Sequence, residues 1–126
     1  MDRRLIPGHS PYEPIVGYSR AVVAGDRVYV SGTAPIPADG SAPPEDPYEQ
    51  TRLCIDIVRE ALERAGTSLE HVVRTRLFVT DASHFEGVGR AHGEAFGEVR
   101  PANTTVVTAL LDPAWKVEIE VEAVLP

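Results

Sequence analysis

A strict alternation of side chains near the C-terminal end is the feature that most constrains how this chain can fold. Between Val117 and Val124, apolar residues alternate with three glutamates and a valine. Alternation with a period of two is typical of a β-strand that has one buried face and one face in water. The stretch from Asn103 to Leu110, rich in Thr and Val, predicts a preceding strand. Asp112-Pro113 separates the two strands, because proline has no N–H to donate to a β-ladder.

Two helices are predicted upstream, and the first has the clearer boundaries. Its body runs from Gln50 to Gly66, and the glycine is a typical C-terminal stop. At the other end Asp46 can cap, Pro47 suits the first helical position, and Glu49 completes a reciprocal capping box. The second helix, His84 to Val99, carries four glycines. Each is about 1 kcal/mol less favourable than alanine in a helix, so this helix depends on tertiary packing.

Three more strands and a long loop complete the chain. Ile15–Ala24 and Asp26–Ser31 are predicted to form a hairpin, and Val72–Thr80 alternates as another strand. Residues 1–14 form a proline-rich, irregular lead-in. The segment Gly32–Asp46 has four prolines and no apolar periodicity, which indicates a long loop. Such a loop is either functional or a mobile surface excursion.

The predicted order β-β-α-β-α-β-β indicates an α+β fold, a mixed sheet with two helices on one face. At 126 residues the chain is expected to form one domain, spanning residues 1–126. The other face of the sheet is then not covered by the chain's own helices. Val and Thr residues recur on that face, and a monomer would expose them to water. Self-association is therefore expected.

The acidic composition argues against several kinds of partner and site. Lys and Arg number 12 against 19 Asp and Glu, which gives a net charge of −7 and a poor surface for nucleic acid. Cys54 is the only cysteine, so no disulfide framework is possible. None of the four histidines has a second ligand at metal-binding spacing. We therefore expect no metal and no cofactor.

The chain also carries no sign of a membrane partner. No apolar run approaches the roughly 20 residues that span a bilayer. The N-terminal Met1-Asp-Arg-Arg sequence is not followed by the apolar core of a signal peptide. We expect a cytoplasmic protein.

The C-terminal pattern resembles the signature of the RidA/YjgF family. The matching residues are Pro101-Ala102-x-Thr104-x-Val106 followed by Val117-Glu118-Ile119-Glu120. Tyr18 and Val30-Ser31-Gly32 extend the resemblance over nearly the whole chain. The resemblance implies a chorismate-mutase-like fold and a homotrimer with a small-molecule cleft at each subunit interface. It also implies imine or enamine deaminase chemistry, and some members carry an endoribonuclease label.

Two residues dominate the site that the resemblance implies. Glu118 matches the family glutamate that lies in the cleft and positions water, so it is the candidate catalytic base. From the strand pattern alone, a solvated acidic edge is the alternative. Asn103 stands where the family archetype has an arginine that pairs with the carboxylate of a 2-imino acid. An asparagine cannot form that pair, but it could bond a neutral carbonyl or amide group, or its own backbone.

Five further residues complete the predicted substrate-binding set. By resemblance Tyr18 forms an aromatic wall, Ser31 with Gly32 lines the cleft, and Thr105 stands where archetypal members have a cysteine. Arg90 could return the positive charge that is lost at Asn103. Among residues outside this set, His92 is expected to be a core histidine with one hydrogen bond.

Three functions remain open at this point. The first is a trimeric hydrolase of a C=N or enamine bond in a small molecule, with a substrate other than the archetypal 2-imino acids. The second is a non-catalytic binding or regulatory trimer that uses the same cleft. The third, an endoribonuclease, is disfavoured because the sequence has no basic run or aromatic-basic stripe.

Overall fold

A six-stranded mixed sheet with two helices organises the computed structural model, which describes residues 2–126. The strands lie in the order β1-β2-β3-β6-β4-β5, and only β4 and β5 are parallel. This arrangement confirms the predicted α+β class. The elements are β1 Arg3–Ile6, β2 Ala21–Ala24, β3 Arg27–Thr33, α1 Pro47–Ala65, β4 Val72–Val79, α2 Phe85–Phe96, β5 Ala102–Val107 and β6 Val117–Val124.

The first helix has the ends that the sequence predicts. The Asp46 side chain accepts a hydrogen bond from the Glu49 N–H at 3.3 Å, and Pro47 is the first helical residue. Gly66 ends the helix in the left-handed conformation, with φ of 96°. The reciprocal half of the capping box is replaced by an ion pair, since the Glu49 carboxylate lies 4.0 Å from Arg52.

The hydrophobic core lies between the helices and one face of the sheet. The alternation that predicts β6 is confirmed, because its four odd-numbered residues are all buried. They pack with the inward side chains of β3, β4 and both helices. The largest apolar side chains of this core that are fully buried are Phe96, Leu62, Leu77, Ile119, Val28, Val58, Val79, Val88, Val117 and Val121. No helix within residues 2–126 is long and apolar enough to cross a membrane.

The N-terminal prediction is wrong in two respects. Residues 3–6, predicted as irregular, form β1 along the edge of β2, and Met1 lies outside the described residues. The predicted strand Ile15–Ala24 begins only at Ala21, because Glu13–Gly17 form one π-helical turn. That turn closes with a 3.0 Å bond from the Tyr18 N–H to the Glu13 carbonyl. Backbone pairing with the distant β2 decides the first segment, and the local bond from Tyr18 to Glu13 decides the second.

The uncovered face of the sheet is more polar than predicted. Arg76 is 2.7 Å from Glu120 and 3.5 Å from Glu122, and Arg74 is 3.6 Å from Glu122. The Glu120 carboxylate raises the pKa of Arg76. Tyr29 is a large, partly exposed ring on the same face. Paired charges therefore occupy the centre of a face that was expected to carry mainly Val and Thr.

One buried side chain fastens the predicted long loop to the rest of the fold. The Gln50 amide nitrogen donates to the carbonyls of Pro44 at 2.8 Å and Ala114 at 2.9 Å, and its oxygen accepts from the Lys116 N–H at 2.8 Å. Ala34 and Pro35 are buried at the other end of the loop. Both ends of the segment are thus held against the body of the protein.

Replacing Gln50 with alanine should destabilise the fold by about 3 kcal/mol, because two carbonyls and one N–H lose their partners in a buried place. The free energy of urea-induced unfolding measures the effect. Glu60→Ala, an exposed change on the same helix, is the control and should alter that free energy by less than about 0.5 kcal/mol. Equal stability of the two variants would contradict the role given to Gln50.

Candidate active site

The Glu118 carboxylate lies against a bulge at the end of β3. Val30 pairs with Val121 and Thr33 pairs with Ile119, so β3 has one residue more than β6 over this interval. A Cβ atom at Gly32 would fall well inside van der Waals contact of Glu118 Oε2. Because residue 32 has no side chain, there is room for the Glu118 carboxylate at this position.

Burial changes the acidity of Glu118. Loss of solvation raises the pKa of this carboxyl above its ordinary value of 4.5, with a smaller contribution from Glu120, while the nearby Arg20 guanidinium opposes the rise. A carboxylate with a raised pKa is a stronger proton acceptor than a surface glutamate. Glu118 therefore has the property required of a general base near neutral pH.

Arg20, which was not among the site residues predicted from the sequence, stabilises the bulge through hydrogen bonds. Its Nη2 donates to the carbonyls of Ser31 at 2.7 Å and Gly32 at 2.9 Å and to the Thr33 hydroxyl at 2.8 Å. Burial lowers the pKa of Arg20. Its Nε is buried with no hydrogen-bond partner among residues 2–126. An arginine at the start of a strand ordinarily reaches into solvent, so no sequence signal distinguishes it.

Tyr18 and Ser31 lie in one open groove beside this bulge. The Ser31 hydroxyl donates to the Ser19 carbonyl at 2.6 Å, which leaves its oxygen able to accept. Tyr18 is partly exposed on the groove wall. The predicted residues Tyr18, Ser31, Gly32 and Glu118 thus gather at one end of the sheet. The groove is lined by Arg3, Leu5, Glu13, Gly17, Tyr18, Ser19, Val22 and Ser31.

Asn103 and Thr105 belong to a different group of side chains. The Asn103 Nδ2 donates to the Thr75 hydroxyl at 3.0 Å, and the Thr105 hydroxyl donates to Asn103 Oδ1 at 2.9 Å. Thr75 Oγ1 is in turn 2.8 Å from His92 Nε2 on α2. The structure shows this side-chain network and not the alternative prediction, an asparagine bonded to its own backbone.

The two groups lie on opposite faces of the sheet. Asn103 reaches the buried Thr75 and, through it, α2, so its side chain is on the helix-covered side. Glu118 alternates with buried residues and shares the uncovered side with Glu120. β4 lies between their strands, and their partners on it, Thr75 and Phe78, are three residues apart. Two strand spacings and three residue rises place their backbones roughly 14 Å apart.

Two remaining predictions concern α2. His92 is a partly buried histidine with one hydrogen bond, and its ring centroid is 4.7 Å from that of Phe96. Burial lowers its pKa. The Arg90 guanidinium lies 4.0 Å from the ring centroid of Tyr48 on α1. That contact holds the positive charge of Arg90 at the start of α1. It does not support the prediction that Arg90 returns the positive charge lost at Asn103.

No group of three His, Cys, Asp or Glu side chains in the described part of the chain could hold a metal ion.

Comparison with known proteins assigns this chain to a family. The sequence model described as endoribonuclease L-PSP matches residues 8–125. The chain is a member of the RidA/YjgF family. A RutC family protein of Pyrococcus abyssi is 35% identical over 121 residues, which cover 95% of each chain. An uncharacterised protein of Streptomyces coelicolor is 41% identical over 121 residues, covering 95% of this chain and 90% of the relative.

Solved structures agree with the RidA/YjgF assignment. A member of the YjgF/YER057c/UK114 family from Mycobacterium tuberculosis superposes with a TM-score of 0.89 at 42% identity. The match covers 98% of this chain and all of that one. The predicted family and fold are therefore confirmed. The roles of the candidate site residues stay predictions.

Gly32→Ala should displace the Glu118 carboxylate and leave the fold nearly intact, because the new Cβ would meet only the flexible end of that side chain. We expect the pKa of Glu118 to move back toward 4.5 as the carboxylate regains solvent. Titration of its side-chain carboxyl carbon by NMR measures this. Gly93→Ala, whose Cβ would have nothing within 4 Å, is the control. An unmoved Glu118 titration in Gly32→Ala would contradict the contact.

The raised pKa of Glu118 also predicts how stability varies with pH. The folded protein binds this proton more tightly than the unfolded chain, so the associated stability is present below pH 4.5 and is lost as the pH rises through the folded-state value. Glu118→Gln removes that loss. Its unfolding free energy relative to wild type should therefore increase from acidic to neutral pH. Urea unfolding at a series of pH values tests this, with Gly93→Ala as a control that changes no titratable group.

Proposed function

We propose that this RidA/YjgF protein hydrolyses a C=N or enamine bond in a small molecule, with Glu118 as the base that orients and deprotonates water. The observation that carries the proposal is a half-buried carboxylate of raised pKa, set against the bulge at Gly32 and beside Arg20. A glutamate in a solvated acidic edge would have neither property. Tyr18 and Ser31 supply an aromatic wall and a hydrogen-bonding oxygen in the adjoining groove.

The chemistry needs one proton acceptor and no cofactor. An enamine first gains a proton on carbon and loses one from nitrogen, which converts it to the imine. Water then adds to the imine carbon, giving one proton to Glu118, while the C=N electron pair moves to nitrogen, which takes up a proton. The resulting carbinolamine expels ammonia and forms a carbonyl as its hydroxyl loses a proton. Glu118 begins this sequence ionised and can return its proton to the leaving nitrogen.

We also propose that the complete cleft forms between copies of the chain, as a homotrimer. In one chain Asn103 and Glu118 lie on opposite faces, so a cleft that contains both must take them from different subunits. Two distinct apolar surfaces support this assembly. Ile15 and Val16 are 77% and 70% exposed next to the Tyr18 groove. Val107 and Leu111 are 58% and 96% exposed at and beyond the end of β5. Contact between two different surfaces forms a ring when the rotation that relates the copies closes.

A second candidate function is supported by the state of Asn103. Its amide is bonded to two threonines and carries no charge, so the residue supplies no positive charge to stabilise a reacting group. A trimer that binds a small metabolite without turnover would use the same cleft. The endoribonuclease activity in the family model's description stands third, because the net charge of −7 opposes RNA binding.

The proposed partners follow from the same features: a small-molecule ligand and further copies of the chain, with no nucleic acid and no membrane. The proposed compartment is the cytoplasm, on the grounds of overall composition and a single buried thiol, Cys54. A relative in Schizosaccharomyces pombe, 37% identical over 106 residues, is named a mitochondrial protein.

The test is ammonia release from imines generated in situ from an amino acid and from its carboxamide, measured above the spontaneous rate. Wild type should accelerate release, and Glu118→Gln should lower the rate at least about 100-fold, as removal of a general base does. Leu111→Asp should sediment as a monomer and lose activity, since this residue is exposed in the single chain.

The outcomes separate the candidate functions. Specific ligand binding without acceleration of either imine would favour the binding trimer. Full activity in Glu118→Gln would contradict the proposed catalytic role of this residue. Full activity in a monomeric Leu111→Asp variant would contradict the proposal that the complete cleft forms between subunits.

A further inference from the structure

The side-chain amide of Asn103 is held between two threonines at the open edge of the sheet. One of its N–H groups bonds to Thr75, and its oxygen accepts one bond from Thr105. An asparagine amide has two N–H donors and an oxygen with two lone pairs. One donor and one acceptor are therefore left free, and this count is the same if the amide is turned over.

The amide is fixed in orientation while remaining accessible. Thr75 is fully buried, and its hydroxyl is also within hydrogen-bond distance of His92 on α2. Thr105 follows Asn103 by two residues on β5, so it contacts the amide from the same face of the strand. Asn103 itself is exposed, because β5 is an edge strand. Its free donor and acceptor thus face a ligand in a set geometry.

The surroundings of Asn103 place little positive charge beside it. Arg74 and Arg76 lie on the other face and pair with glutamates. Arg90 stacks on Tyr48. The exposed cation near this end of β5 is Arg100, which precedes the strand in a left-handed conformation with φ of 57°. A carboxylate placed against the amide would find one neutral donor and would face its carbonyl oxygen.

We propose that Asn103 recognises a neutral, carboxamide-like group, which both donates and accepts a hydrogen bond, in preference to a carboxylate. The inference deepens the proposed function, on which it rests for the reaction: the substrate class is a small 2-imino or enamine carboxamide, and the product is the corresponding 2-oxo carboxamide. Asn103 is then a specificity-determining residue, and Thr75 and Thr105 are positioning residues that hold its amide.

The probes are pyruvamide and pyruvate, two product-like molecules of nearly equal shape that differ in the amide and the carboxylate. Binding to the full-length protein is followed by ¹H–¹⁵N NMR, with the Asn103 side-chain NH₂ signal reporting contact. Wild type should bind pyruvamide at least about tenfold more tightly, the effect of one to two mismatched hydrogen bonds. Asn103→Arg should reverse that preference, and Asn103→Leu, which removes both the donor and the acceptor, should abolish it.

Three results would overturn the inference. They are equal or tighter binding of pyruvate by wild type, an Asn103→Arg variant with an unchanged preference, and binding of neither probe. Arg100→Gln is the matched control and should leave the wild-type preference in place. If this variant alone shifts the preference, Arg100 is the determinant and Asn103 is not.

Binding is measured without turnover, so the two proposals fail separately. A protein that prefers pyruvamide at Asn103 and hydrolyses no imine contradicts the proposed function alone. A protein that hydrolyses imines through Glu118 and prefers pyruvate contradicts only the inference about Asn103.

Discussion

The arrangement around the candidate active site depends on one buried guanidinium. Arg20 donates from a single nitrogen to three acceptors on Ser31, Gly32 and Thr33, and so holds β3 in its bulged conformation. The bulge brings Gly32 against Glu118, where the absence of a Cβ leaves room for the carboxylate. Arg20 also opposes the rise in the pKa of Glu118 that burial causes. The same side chain therefore holds the bulge that Glu118 contacts and partly offsets the effect of burial on the pKa of the proposed base.

The two faces of the sheet have separate chemical roles. The uncovered face carries Glu118 and the ion pairs of Arg74 and Arg76, and the helix-covered face presents Asn103 at the edge strand. In one chain the proposed base Glu118 lies near Tyr18 and Ser31, and Asn103 lies on the other side of the sheet. In the proposed trimer, activity depends on association, because the Asn103 and Glu118 of one cleft come from different copies. Exposed ion pairs contribute little stability individually. Their effect here is to keep the uncovered face solvated while apolar residues at its borders remain available for contact.

Asn103 illustrates how a site can be rebuilt without a change of fold. Two threonines satisfy half of its hydrogen-bonding capacity and hold the amide in one orientation, and one of them, Thr75, is also within hydrogen-bond distance of His92. Such networks are favourable when each member is paired, because an unpaired polar group near the protein interior is costly. The remaining N–H donor and oxygen acceptor of Asn103 are therefore held in a fixed geometry, unlike those of a flexible surface asparagine. The proposed selectivity between an amide and a carboxylate rests on that pattern and on the absence of charge on the amide.

The sequence by itself determined the elements whose signals are local. The alternation of Val117–Val124, the Asp46 cap and the Gly66 stop each involve residues within a few positions of one another, and each was confirmed. Resemblance to the RidA/YjgF family supplied the fold and the site candidates. Only the tertiary structure decided the role of Arg20, the fastening of the long loop by Gln50, the strand at Arg3–Ile6 and the face on which Asn103 lies. Their partners are 13, 66 and 28 residues away for Arg20, Gln50 and Asn103. No periodicity or capping rule spans such separations, because those contacts exist only once the sheet has brought distant segments together.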